Sequence, residues 1–183
     1  MRAGASRKTA KIISDYRTRE VPVVENNEII GIVTAKRILE LLSTKGNKSI
    51  KAKMIYTKNP IIISSEKPLS NAKKIMTSKR LDHLPVVDGG KIKQTLTPAH
   101  VIEYVLPQER QGNRSVGMRT AHKLDFKIGD IGRTRVPQCA PDDDLDKILS
   151  LMLKTDTTCC LVNLGDTLEG IITFRDILGL ISK

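Results

Sequence analysis

Three stretches of the chain share one order of apolar and polar positions. VPVVENNEIIGIVTAKRILELL (21–42), LPVVDGGKIKQTLTPAHVIEYVL (84–106) and CCLVNLGDTLEGIITFRDILGLI (159–181) follow a single template. An apolar strand, a polar turn and a second apolar strand lead to a Thr and an apolar-periodic helix. The turns ENN, DGG and NLGD are rich in Asn, Asp and Gly, so each strand pair should close as a hairpin. Upstream, residues 57–76 align without gaps to residues 133–152. Each begins with a short strand around a Pro, Ile61–Ile63 or Pro137–Cys139. Each then opens a helix behind polar or acidic residues that suit its N-terminus. Leu69, Ala72, Ile75 and Met76 mark one helix face, and Leu145, Ile148, Leu151 and Met152 the equivalent one. The repeating unit is therefore β-α-β-β-α.

The spacing divides the chain into an incomplete first repeat (1–45), a second (50–107), a linker (108–126) and a third (127–183). RAGASRKTAKII matches the first helix of the unit, but the strand ahead of it is missing from repeat one. Repeats two and three are expected to pair. Repeat one then stands unpaired, to be matched by its copy in another chain or by a further segment.

Composition narrows the class. The 183 residues are 39% hydrophobic and 28% charged, as in globular proteins. No apolar run approaches the roughly 20 residues of a membrane span. No apolar h-region follows the N-terminus. The three cysteines, Cys139, Cys159 and Cys160, lack CxxC spacing and read as small buried apolar residues in a cytoplasmic, reducing setting. The net charge of +11 is uneven: residues 1–60 hold 13 Lys and Arg against 5 Asp and Glu, residues 121–183 hold 8 against 10. A basic N-terminal region can attract phosphates. The acidic run PDDDLD (141–146) opens a helix and complements its dipole. No phosphate-binding Gly loop, nucleophile elbow or HExxH pair occurs, and His83, His100 and His122 lack ligand spacing. No metal site and no enzyme are expected.

TKNPIII at the first strand, VPVV and LPVVD at the second, and GIVTAKR and GIITFRD at the third strand–helix junction resemble the CBS domain, named after cystathionine β-synthase. The resemblance implies an α/β fold of tandem CBS repeats, paired sheet to sheet about a pseudo-two-fold axis. It also implies a regulatory role without chemistry of its own. AMP, ADP, ATP or S-adenosylmethionine would bind in the cleft of a pair, with no cofactor required.

The junction has a physical logic. A strand that ends in Thr and enters a helix at once aims free N–H groups at an anion. Thr173 and Asp176 can cap that helix, or they can bind ribose and phosphate together with Gly170 and Arg175. The family resemblance favours the second role, with the Asp gripping the ribose. Repeat one has Thr34 and Arg37 at these positions, and repeat two has Thr97 and His100, with Gln94 in place of Gly170. An Arg offers only donors and a neutral His one acceptor, so the third repeat should bind best and the first worst. The resemblance places adenine against Val136, Pro137, Gln138 and Cys139, or against Ile61 and Ile62 in repeat two. Lys79, Arg80, His83 and Arg19 are candidate phosphate contacts. A homodimer and a regulated protein partner are expected, with no membrane contact. The rival readings are nucleic-acid binding through the basic N-terminal repeats and a structural module with empty pockets. With aromatic residues at 3%, stacking platforms for single strands are scarce.

Overall fold

The hairpins close where the turn residues sit. The computed structural model describes residues 3–16, 18–105, 125–131 and 136–182. Helix α1 (Ala3–Asp15) leads to the antiparallel hairpin of β1 (Glu20–Glu25) and β2 (Glu28–Thr34), then to α2 (Ala35–Ser43). A connector with a 3-10 turn (Ala52–Met54) and the two-residue strand β3 (Thr57–Lys58) precedes α3 (Leu69–Lys79). The hairpin of β4 (Leu84–Asp88) and β5 (Lys91–Leu96) and helix α4 (Pro98–Val105) follow. A second 3-10 turn (Ile128–Asp130) precedes β6 (Gln138–Cys139), α5 (Leu145–Lys154), β7 (Cys159–Leu164), β8 (Thr167–Thr173) and α6 (Phe174–Ser182). The expected linker lies, as far as residue 124, outside the described residues.

Asn26 and Asn27 turn the first hairpin with φ of 48° and 68°, and Gly89 and Gly90 the second with 55° and 77°. Two successive positive φ values match the twist of the flanking strands. Both hairpins carry an irregularity at the same place, between Val23 and Val24 and between Val86 and Val87.

The described residues form two compact units. One holds those up to Asn59, Val136–Gly165 and those from Glu169 onward, thus the first and third repeats. The other holds those within Pro60–Arg135, with Asp166–Leu168. In the first unit α1 packs on α6 and α2 on α5. The exchange is reciprocal, since the first helix of one repeat meets the second helix of the other. Ala10, Ile13, Ile38 and Leu39 thereby share one core with Ile148, Leu149, Phe174 and Ile177. Each such large apolar side chain taken from water contributes about 1.5–3 kcal/mol. This corrects the expectation that repeat one has no partner within the chain. Its hairpin, by contrast, stays open: Val24, Ile29, Ile30 and Ile32 are 57%, 71%, 59% and 62% exposed.

The four-stranded sheet of this unit has the order β3-β8-β7-β6. β3 runs antiparallel to β8, and β6 parallel to β7. Leu145, Ile148, Leu149 and Met152 form the buried face of α5. Leu149 takes the place expected for Leu151, because positions 145, 148, 149 and 152 follow the 3.6-residue period more closely. In the second unit Leu69, Ala72 and Met76 of α3 pack with Leu84, Val86, Leu96 and Ile128. The strand expected at Ile61–Ile63 shrinks there to one parallel bridge between Ile63 and Val86. Ile61 and Ile62 remain 41% and 49% exposed.

Candidate functional site

The third repeat's motif sits where β8 turns into α6. Phe174, the first residue of α6, is fully buried and anchors that end of the helix. Its N–H donates to the Thr158 carbonyl at 2.9 Å. Asp176 stands in the first turn. Its Oδ2 accepts from the Thr173 N–H at 2.6 Å and from the Thr173 hydroxyl at 2.7 Å. Two short charge-assisted bonds thus occupy one carboxylate oxygen in closing the helix end. The other oxygen, Oδ1, accepts from the Thr57 hydroxyl at 3.4 Å. Arg175 lays its guanidinium over the Phe174 ring, 5.4 Å from the centroid.

Gly170 has a packing reason. A Cβ there would run into the Tyr56 ring and lie 2.7 Å from the Thr57 carbonyl. The missing side chain lets the connector seat Tyr56 and pair Thr57 with Ile171 and Lys58 with Gly170. The connector is fixed further back by the acidic run. Ala52 and Lys53 donate backbone N–H bonds to the carbonyls of Asp143 and Pro141, and Leu145 donates to that of Ile50. Asp146 accepts from the Asn47 backbone at 2.7 Å, and Lys53 pairs with Asp142 at 2.6 Å. Asp144 caps α5 by accepting from the Lys147 N–H, as the dipole reasoning required. The run therefore caps a helix and also holds the connector.

Of the expected base-contacting residues, Gln138 and Cys139 form β6 and Val136 and Pro137 lie just ahead of it; β7 separates β6 from β8. Pro137 is buried and its carbonyl accepts from the Leu161 N–H at 2.9 Å. Val136 is half-buried. Gln138 is exposed, and its Oε1 accepts from the Asn163 side-chain amide at 2.6 Å. Cys139 is buried in the core beside Cys160. A hydrogen bond from the Cys160 thiol holds the Cys139 thiol below its ordinary value, and the same pairing with burial pushes Cys160 up. Burial raises Cys159 to about 12. All three cysteines are free and buried, as the sequence indicated.

The equivalent corners differ in chemistry. In repeat one the Thr34 hydroxyl accepts from the Arg37 N–H at 3.1 Å, while the Arg37 side chain turns to Glu40 at 2.8 Å. Arg19 is exposed, and its carbonyl accepts from the Ala35 N–H at 2.7 Å. In repeat two the Thr97 N–H donates to His100 Nδ1 at 3.1 Å, and the Thr97 hydroxyl lies 3.2 Å from the same nitrogen. His100 therefore repeats the capping role of Asp176 with a single acceptor. Gln94 is buried and its Nε2 donates to the Ile128 carbonyl at 3.0 Å, gripping the second connector where repeat three has a notch. Lys79 ends α3, Arg80 follows in the left-handed region with φ of 52°, and His83 is half-buried. Among the described residues no cluster of His, Cys, Asp or Glu could hold a metal ion, and no helix is long and apolar enough to cross a membrane.

Reasoning from the sequence missed Tyr56 and Thr57. The signal for them was the contrast between Gly170 and Gln94, since a glycine at one copy of a strand position marks close approach by another segment.

The sequence model of the CBS domain matches residues 7–44, 52–107 and 128–183. The chain belongs to the CBS-domain family. A 33.4 kDa protein of the ribosomal RNA operon of Thermofilum pendens is 27% identical over 156 residues, covering 85% of this chain and 51% of that protein. This CBS chain thus spans about half the length of that relative. Protein MJ1225 of Methanocaldococcus jannaschii has the same fold, with a TM-score of 0.82 and 19% identity over 94% of this chain and 63% of that one. The CBS domain pair of protein MJ0100, solved with 5′-methylthioadenosine and S-adenosyl-L-methionine, gives a TM-score of 0.56 and 23% identity over 71% and 94%.

Proposed function

We propose that this CBS protein is a non-catalytic sensor that binds an adenine nucleotide or S-adenosylmethionine at the third repeat, beside Thr173 and Asp176. The observation that carries the reading is the division of labour within Asp176. One oxygen closes the helix end, and the other is turned toward a hydroxyl donor at 3.4 Å. A carboxylate oxygen so placed can accept from a ribose. The adenosyl ligands of the MJ0100 pair support the ligand class. The base would lie along β6, against Val136, Pro137 and Gln138. Repeat one supplies no acceptor at Arg37, and His100 in repeat two spends Nδ1 on Thr97, so the three corners rank in the order three, two, one.

The ligand acts as a regulatory effector, not as a cofactor, and its binding energy biases the arrangement of the assembly or of a regulated protein. The exposed apolar hairpin of repeat one favours a homodimer in a cytoplasmic setting. A thermal-shift series against AMP, ADP, ATP, S-adenosylmethionine and a short oligonucleotide tests the reading. Binding to the folded state raises the midpoint, increasingly with the logarithm of ligand concentration over Kd. An adenosyl ligand should raise it and the oligonucleotide should not. A midpoint indifferent to all four adenosyl ligands would sink the proposal.

A further inference from the structure

We propose that Thr57 and Lys58 of the connector form a displaceable strap on the third repeat's site, hinged on the seated Tyr56. A ligand carrying a sugar diol releases it by taking Asp176 Oδ1 from Thr57. This rests on the nucleotide reading above and adds what occupancy does to the connector.

Asp176 Oδ2 is saturated by the two bonds from Thr173. Oδ1 is therefore the oxygen left for a ligand hydroxyl, and Thr57 already stands on it. At 3.4 Å that bond is long against the roughly 2.5–2.7 Å of a strong hydroxyl–carboxylate bond. A ligand hydroxyl held by further contacts displaces it at small cost. β3 is suited to leave: it has two residues, both exposed, at the edge of the sheet. Release also has a defined limit. Upstream, Asn47, Ala52 and Lys53 stay tied to the acidic run by backbone bonds independent of the ligand corner. Downstream, the chain turns at Asn59, with φ of 48°, and continues directly into Pro60, the first residue of the second unit. Asn59 donates its N–H to the Glu169 carbonyl at 3.2 Å, so release of Thr57 and Lys58 is bounded by that bond.

Hydrogen–deuterium exchange on the full chain reads the strap directly. Saturating AMP should speed exchange of the Thr57 and Lys58 amides roughly two- to tenfold, as local opening demands. Saturating 2′,3′-dideoxy-AMP, which has no sugar hydroxyl to donate, should leave them unchanged. Removing the competing hydroxyl in Thr57→Val should tighten AMP binding roughly two- to fivefold, the reach of one weak hydrogen bond. Thr57→Ser should match the parent. Strap amides that are unchanged or slowed when AMP is bound overturn the proposal. So does equal release by the dideoxy analogue, or a Thr57→Val chain that binds AMP no better than the parent. Failure of AMP, ADP, ATP and S-adenosylmethionine alike to bind the parent removes the nucleotide reading itself, and the strap with it, whereas AMP bound over a still strap removes the strap alone.

Discussion

Asp176 is asked to do two things, and its two oxygens divide them. Oδ2 closes the end of α6 through Thr173, and Oδ1 faces outward to Thr57. Alanine at this position removes both functions, whereas asparagine keeps an acceptor for Thr173 and replaces the outward acceptor by a donor. Asp176→Ala should therefore lose about 1 kcal/mol of stability, the usual worth of a helix-end bond. Asp176→Asn should lose distinctly less. Urea unfolding of the two variants checks this, and equal losses would mean that the Thr173 bonds carry no weight. Thr97 and His100 show the same corner with one acceptor, and Thr34 and Arg37 show it with none beyond the Thr hydroxyl itself.

Connectors decide what the repeats look like at the scale of elements. The hairpins and long helices were legible in the sequence because their causes are local. Paired positive-φ residues at Asn26–Asn27 and Gly89–Gly90 close the turns, and the spacing of Leu69, Ala72 and Met76 writes a helix face. β3 was not legible. It is two residues long, and its partner strand β8 lies far along the chain, so neither period nor turn chemistry announces it. For the same reason Ile61–Ile63 read as a strand although only Ile63 makes a bridge. The Thr173–Asp176 corner was legible as a motif, but the hydroxyl that meets it comes from β3 and was not. Gly170 carries the element-scale test. Gly170→Ala puts a methyl into the Tyr56 ring and against the Thr57 carbonyl, so the connector must shift to admit it. Overpacking of this kind costs about 1–3 kcal/mol. The variant should unfold earlier in urea and exchange the Thr57 and Lys58 amides faster. Unchanged exchange there would show that the notch does not seat the connector.

For the whole molecule, the pH response follows from a buried thiol and a half-buried carboxylate. Burial lifts Cys159 to about 12 from an ordinary 9.0, so the folded chain keeps a proton that the unfolded chain loses. Stability from this group is complete below pH 9 and falls as pH rises toward 12, by about 1.4 kcal/mol per unit. Cys159→Ala should flatten that alkaline slope in pH-dependent urea titrations, and an unaltered slope would contradict the assignment. On the acid side, hydrogen bonds from Ser65 and Ser64 hold Asp88 below 3.8. Its contribution is present above that value and is lost as pH falls through the lowered one. Between these limits neither group changes its charge, and there the molecule's central property can be measured most directly. Calorimetric titration of AMP into the parent and into Asp176→Asn isolates the outward oxygen without removing the helix-end acceptor. AMP should bind the parent, and the variant should lose about 1.5–3 kcal/mol of that affinity, the worth of a hydrogen bond to a charged group. Equal affinity in the two proteins would contradict the assignment of the site.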